Sequence, residues 1–210
     1  MSQKHATCLN ISLLLAALTC PAGATLAQET SAFTITIHVY NYATVPKKTL
    51  ARAKDEGGQI FKVAGLATQW LDHPVTSVDG RNSRDSTDSW DGTHFVLRLF
   101  TLSRKGLNKN AMGEALSRRI ANVFMDRVTD VGVVGELSAG QMLGHAIVHE
   151  IGHLLLGDNS HSAFGIMVAT WSKQDLWRMS KGDLLFTHQE VTRIQAEVKH
   201  RSRSVLRVAD

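Results

Sequence analysis

His149-Glu150-Ile151-Gly152-His153 places two imidazoles and a carboxylate in one short stretch. Along an α-helix four residues turn roughly 400° and rise about 6 Å, so the two histidines share a face, one turn apart. Two nitrogens so placed can reach one zinc ion at about 2.0–2.1 Å. Glu150, about 100° round from His149, does not readily join them, but it can lean over the water that completes a tetrahedral site. That is the place of a general base, and the chemistry is hydrolysis by an activated water.

Such a motif needs a helix with one face anchored in a core and the other turned to a cleft. Ser138-Ala139-Gly140-Gln141 offers the start, and Met142, Leu143, Ile147, Ile151, Leu154 and Leu155 recur at helical spacing until Gly157 supplies a stop. A catalytic zinc takes three protein ligands and leaves a position for water, so a third ligand has to follow. We take His161, which comes a short turn after Gly157 and repeats the imidazole chemistry. Asp158 sits where the turn should be, and Glu190 is already explained as a helix cap with Thr187; both stay as alternatives. His145 extends the run to three histidines at helical spacing. That run climbs about 12 Å, too far for all three to surround one ion, which leaves His145 behind the site or on the surface.

His149-Glu150-Ile151-Gly152-His153, then Gly157, His161-Ser162 and Gly165-Ile166-Met167, resembles the metzincin branch of zinc metallopeptidases, and the His-Ser pair is similar to matrixins. The resemblance implies His149, His153 and His161 as ligands, Glu150 as base, and Met167 in a methionine turn beneath the metal. It implies an α+β fold, a zincin/metzincin-like catalytic domain whose mixed twisted sheet carries an N-terminal, an active-site and a C-terminal helix. Two departures stand out. The family pattern would put glycine at Leu156 and histidine at Asn159, whereas this chain has them later, at Gly157 and His161. No tyrosine follows Met167, and a buried methionine there also suits an ordinary core.

The expected function is an exported zinc-dependent metalloendopeptidase acting on a peptide or protein laid extended beside an edge strand. The alternative is a non-catalytic exported zinc-binding module with the same fold. Glu150 speaks against it, because a structural site would use a fourth protein ligand instead of a base. A hydrolase of other amides or esters would share the ligand set.

Residues 1–27 read as a secretory signal peptide: Lys4 and His5, an apolar Ile11–Leu18, then small residues up to Ala27. That predicts a secreted or periplasmic protein without stable membrane insertion, and one catalytic domain over 28–210. Cys8 and Cys20 both lie in the segment expected to be removed, so core packing and metal must hold the mature domain. Thr19 before Cys20 is a poor lead-in for lipidation. With a net charge of +4 and basic residues gathered at Lys199, His200, Arg201, Arg203 and Arg207, a solvated tail explains the balance better than a nucleic-acid site.

Alternation from Phe33 to Val39 predicts a strand, Pro46 to Gly65 a helix, Leu66–Leu71 and Phe95–Leu102 further strands, and the stretch between the last two a polar loop. Asp79, Asp85, Asp88 and Asp91 in that loop lack the alternation of a calcium loop. Arg119–Arg127 reads as a strand, with a helix from Met112 as the alternative. Ser172 with Asp175, and Thr187 with Glu190, predict capped helices near the end.

Overall fold

Phe33–Asn41 forms β1, whose Ile35, Ile37 and Val39 point into the core and are at most 1% exposed. The structure, a computed structural model, describes residues 33–75, 92–108, 110–134, 137–157 and 160–206, and the chain from Ser31 onward forms one unit. The stretch expected to be a signal peptide, and the four loop aspartates, lie outside the described residues. A tight turn follows β1, clamped by Asn41, whose side-chain oxygen accepts from the Val45 N–H at 2.9 Å while its amide donates to the Val45 carbonyl at 3.0 Å.

The next element, α1 (Lys47–Val63), starts after Pro46, which stands as the cap residue and not inside the helix as the sequence predicts. It buries Leu50, Ala53, Ile60 and Phe61 and returns the chain to β2 (Leu66–His73), parallel to β1 in a register from Phe33 opposite Leu66 to Tyr40 opposite His73. On the other side of β1 lies β3 (His94–Phe100), also parallel.

Between Met112 and Arg127 the expected strand is present but ends early, at Phe124, and the alternative helix from Met112 does not form. A short β4 (Gly113–Ala115) runs antiparallel to β5 (Ile120–Phe124), and α2 (Met125–Val134) begins without a break. The apolar run passes from strand into helix with no turn residue at the boundary, so its period marks neither end. The resulting five-stranded mixed sheet has the order β2-β1-β3-β5-β4, which leaves β4 as an edge.

Across this sheet lies α3 (Ala139–Leu156), opened by a capping box between Ser138 and Gln141 and closed by Gly157, whose N–H donates to the His153 carbonyl. Its burial is broader than one amphipathic stripe. Val148, Ile151 and Leu155 are buried in the core, and so are His145 and Glu150, because α1, the sheet and the C-terminal segments close around it. Two more helices, α4 (Lys173–Ser180) and α5 (His188–Leu206), begin at the boxes read from the sequence, Ser172 with Asp175 and Thr187 with Glu190.

The basic end belongs to α5, where Lys199, His200 and Arg203 are exposed as a solvated face would be, but Arg201 is not. Arg201 is 7% exposed, its guanidinium 5.3 Å from the Phe95 ring centre, and it donates to the Leu154 carbonyl at 2.6 Å. Arg193 donates to the Leu156 carbonyl at 2.7 Å. Two cations of α5 thus serve carbonyls that the end of α3 leaves without helical partners, and they oppose its dipole. No described helix is long and apolar enough to cross a membrane.

Candidate metal centre

The last turns of α3 bring His149 and His153 together, and the segment after Gly157 returns His161 to them. One ligand nitrogen from each lies within 4.8 Å of the others, the one such group among the described residues. His149 points its Nδ1–H at the Ile166 carbonyl, 2.8 Å away. A carbonyl only accepts, so the Nε2 of His149 carries a bare lone pair. His153 meets the Ser160 hydroxyl through Nδ1 at 2.9 Å, and its Nε2 lies 3.1 Å from that of His149. Two nitrogens each about 2.0–2.1 Å from a tetrahedral ion lie roughly 3.3 Å apart, so the pair is spaced as zinc requires. The residues present therefore fit the ion.

Charge supports the fit. Burial pushes the pKa of His149 down to about 4, and that of His153 to about 3 with the help of the neighbouring histidines, so both are neutral at physiological pH, as a metal ligand must be. His161 is the exposed member, at the mouth of the cleft. Glu150, 5% exposed, has its pKa raised to about 8 by burial and by the carboxylate of Glu114. A cation among the histidines would act in the opposite sense and favour its ionised form.

Two absent side chains shape the centre. A Cβ on Gly152 would stand 2.5 Å from the sulfur of Met167, which is fully buried, so the bare Cα lets Met167 pack beneath the helix between the two histidines. Likewise a Cβ on Gly113 of β4 would meet the Asn122 carbonyl oxygen of β5 and stand 2.6 Å from Cγ of Glu150. The edge strand therefore closes directly on the carboxylate. A cleft of about 430 Å³ runs between β4 and the segment Val168–Trp171 and is lined by His149, Glu150, His153 and His161.

His149, Glu150, His153 and His161 are thus brought into one cleft, and Met167 lies under it. Glu190 is not among them: one carboxylate oxygen accepts from the Thr187 N–H at 2.7 Å, as a cap does, and the group is buried. Asp158 falls outside the described residues. His145 is wholly buried and not on the surface; its Nδ1–H donates to the Gln141 carbonyl, its ring meets Trp171 edge-on, and burial holds its pKa near 4. A second histidine group, His38, His73 and His94, spans three strands. His38 uses one nitrogen on each neighbour at 2.8 Å, so the three form a chain and do not converge on one point.

Sequence reasoning missed the supports. Ser160 holds His153, and Trp171 donates its ring N–H at 3.1 Å to the same Ile166 carbonyl that holds His149. Ser160, a hydroxyl just ahead of His161, was the one visible signal. Gly113 and Glu114 gave none, because a three-residue strand is too short to show a period.

The sheet order, the helix across it and a three-histidine cluster at that helix's end make up a zincin-like fold. An archaemetzincin from Methanopyrus kandleri shares it with a TM-score of 0.50, at 19% identity over 83% of this chain and 99% of its own. A zinc-dependent peptidase from Methanocorpusculum labreanum matches with a TM-score of 0.50, at 15% identity over 75% of this chain and 99% of its own. No protein-family model matches the sequence, and no curated protein does. The likeness is one of fold.

Proposed function

We propose that this chain is a zinc metallopeptidase, with His149, His153 and His161 as ligands and Glu150 as general base. The observation that carries it is the pair of histidine Nε2 atoms 3.1 Å apart, each ring braced from behind, beside a buried carboxylate in the same cleft. The peptidases that share the fold add support, since those named above are an archaemetzincin and a zinc-dependent peptidase. Bound zinc supplies a Lewis acid that acidifies water and polarises a carbonyl oxygen.

The chain's own residues do the rest. The Ile166 carbonyl and Ser160 fix the imidazole orientations, and so set which nitrogens face the cleft. Glu150, pressed against Gly113, takes a proton from the attacking water and passes it to the leaving amine. On either side of β4, Met112 and Leu116 bond inward to Phe124 and Ile120, so by the alternation of an antiparallel ladder the N–H and C=O of Gly113 and Ala115 face the cleft. An extended peptide can pair with them, which favours an endopeptidase and a peptide or protein substrate. Within the metzincins, His161-Ser162 supports a matrixin-like branch, with Met167 as its turn methionine. Residues 1–27 support export to the periplasm or the cell exterior.

The test is digestion of a diverse peptide mixture by the zinc-loaded protein, with Glu150→Ala beside it. Cleavage that a chelator abolishes and the variant lacks establishes the activity. A folded, zinc-loaded wild type that cleaves nothing would shift the reading to a zinc-binding module.

A further inference from the structure

The catalytic cleft does not end at the histidines. A recess of about 530 Å³ adjoins it, lined by Leu116, Ser117, Arg118, the end of α3, Glu197 and Arg201. Ala115 and His153 line both spaces, so the trough along the edge of β4 continues past the metal centre into this recess. Its charge is uneven. Two guanidiniums face one carboxylate: Glu197 Oε1 accepts from Arg201 at 2.8 Å and from Arg118 at 3.2 Å.

The two arginines differ in what they can still do. Arg201 is occupied, because its remaining nitrogens donate to the Leu154 carbonyl at 2.6 Å and the Arg118 carbonyl at 3.0 Å. Arg118 is held by its backbone while its side chain is 82% exposed and contacts Glu197 through one nitrogen. Most of its five N–H donors therefore point to solvent, in the fork geometry that matches a carboxylate.

We propose that Arg118 is a specificity residue that selects peptides with an acidic side chain a few positions from the bond aligned with Glu150. A strand advances about 3.3 Å per residue, so a peptide paired with Gly113 and Ala115 reaches Arg118 two to four residues from that bond. The inference rests on the proposed peptide-binding reading of the cleft. Because the guanidinium is exposed, the preference is modest, about fivefold, and it weakens as salt rises.

The test uses a peptide that the zinc-loaded protein cleaves, with Glu, Gln or Lys placed in turn at each position flanking the bond. At one or two neighbouring positions on a single side, Glu is expected to exceed Gln by about fivefold in kcat/KM, mostly through KM, with Lys below Gln. Arg118→Ala levels the three, Arg118→Lys keeps part of the preference, and Arg203→Ala, on the exposed side of α5, keeps all of it. Equal cleavage of the three series by the wild type, or a preference that survives in Arg118→Ala, overturns the proposal. The same labelled peptides are also titrated into zinc-loaded Glu150→Gln. Binding in the order Glu, Gln, Lys that Arg118→Ala abolishes supports the trough even if nothing is cleaved, in which case only the peptidase reading falls. Binding without that order, or none at all, refutes the role of Arg118.

Discussion

Gly152→Ala separates helix propensity from the packing of the metal centre. Alanine inside a helix is favoured over glycine by about 1 kcal/mol, so on propensity alone the variant gains stability. The structure predicts the opposite. The new methyl would stand 2.5 Å from Met167 Sδ and 3.2 Å from a ring carbon of Phe186. The sulfur must retreat by about 1 Å to reach ordinary contact, and because Met167 is fully buried its neighbours must shift with it. Overpacking of this kind costs about 1–3 kcal/mol, so the net effect runs from nothing to a loss of about 2 kcal/mol. The backbone consequence is sharper. The carbonyl of Ile166 holds His149 at 2.8 Å, and the carbonyl of Met167 accepts from the Ser162 N–H at 3.0 Å, next to His161. A displaced Met167 therefore disturbs two ligands at once, and zinc affinity is expected to fall about 10–100-fold. Melting of zinc-free and zinc-loaded protein, with competition against a chelator, measures both terms. Adding Met167→Ala should recover part of the affinity, with a coupling of about 1 kcal/mol. A Gly152→Ala protein that melts higher and binds zinc as the wild type does would refute the placement of Met167 beneath the helix.

Gly113→Ala meets the Asn122 carbonyl of β5 as well as Cγ and Cδ of Glu150, the latter at 2.6 and 2.8 Å, so it is expected to lower the melting temperature and to cost at least about tenfold in kcat, while zinc content by metal analysis stays near one per chain. Glu150→Gln should keep the ion and lose cleavage, whereas His161→Ala should lose affinity by more than the ~10–100-fold expected of Ser160→Ala, as read by chelator competition. The zinc-free protein should show two opposed pH limits. His145 and His149, whose pKa values fall from 6.5 to about 4 on folding, and His153, which falls to about 3, take up protons on unfolding. Their stability contribution is full above pH 6.5 and is lost as pH falls through the folded values, on the order of 3 kcal/mol for His149 alone. Glu150, raised from 4.5 to about 8 by burial and Glu114, runs the other way: its contribution is full below 4.5 and is lost as pH rises through 8. Melting temperature against pH should therefore peak near neutrality; a curve that only rises with pH would contradict the Glu150 assignment, and one that only falls would contradict the histidines.

How much of this was legible depended on whether a local pattern carried the information. Strand β1, helix α1 and the three capped helices showed their own periodicity or capping residues, and the structure places them within a few residues of expectation. The motif histidines and Glu150 were legible because ligand spacing on a helix is itself local. What failed to show was set by contacts distant in sequence. Gly113 carries no signal until β4 is laid on Glu150, and Arg201 reads as a surface charge until the Leu154 carbonyl lies 2.6 Å from it. Trp171 lies in a stretch without a period, and only the fold shows that its N–H shares a carbonyl with His149.

The late position of His161 then has a physical answer. Lengthening a connection costs little, since loop-closure entropy rises only about 0.6 kcal/mol for each doubling of length. What a ligand needs is fixed ends, and both are fixed here. On one side Arg193 holds the Leu156 carbonyl and Gly157 closes the helix on the His153 carbonyl at 2.9 Å. On the other, Ser160 bonds His153 and the Ser162 N–H bonds the Met167 carbonyl, so residues on either side of His161 are tied to the helix and to the segment beneath it. The spacing of a metal motif in sequence can therefore drift while the nitrogens stay within reach of one ion, provided the drift falls between anchors. By the same argument, loosening an anchor should cost more zinc affinity than adding a residue between Gly157 and Ser160. Ser160→Ala weaker in zinc binding than a one-glycine insertion there is the expected order, and the reverse order would mean that the connection itself, and not its ends, places the third histidine.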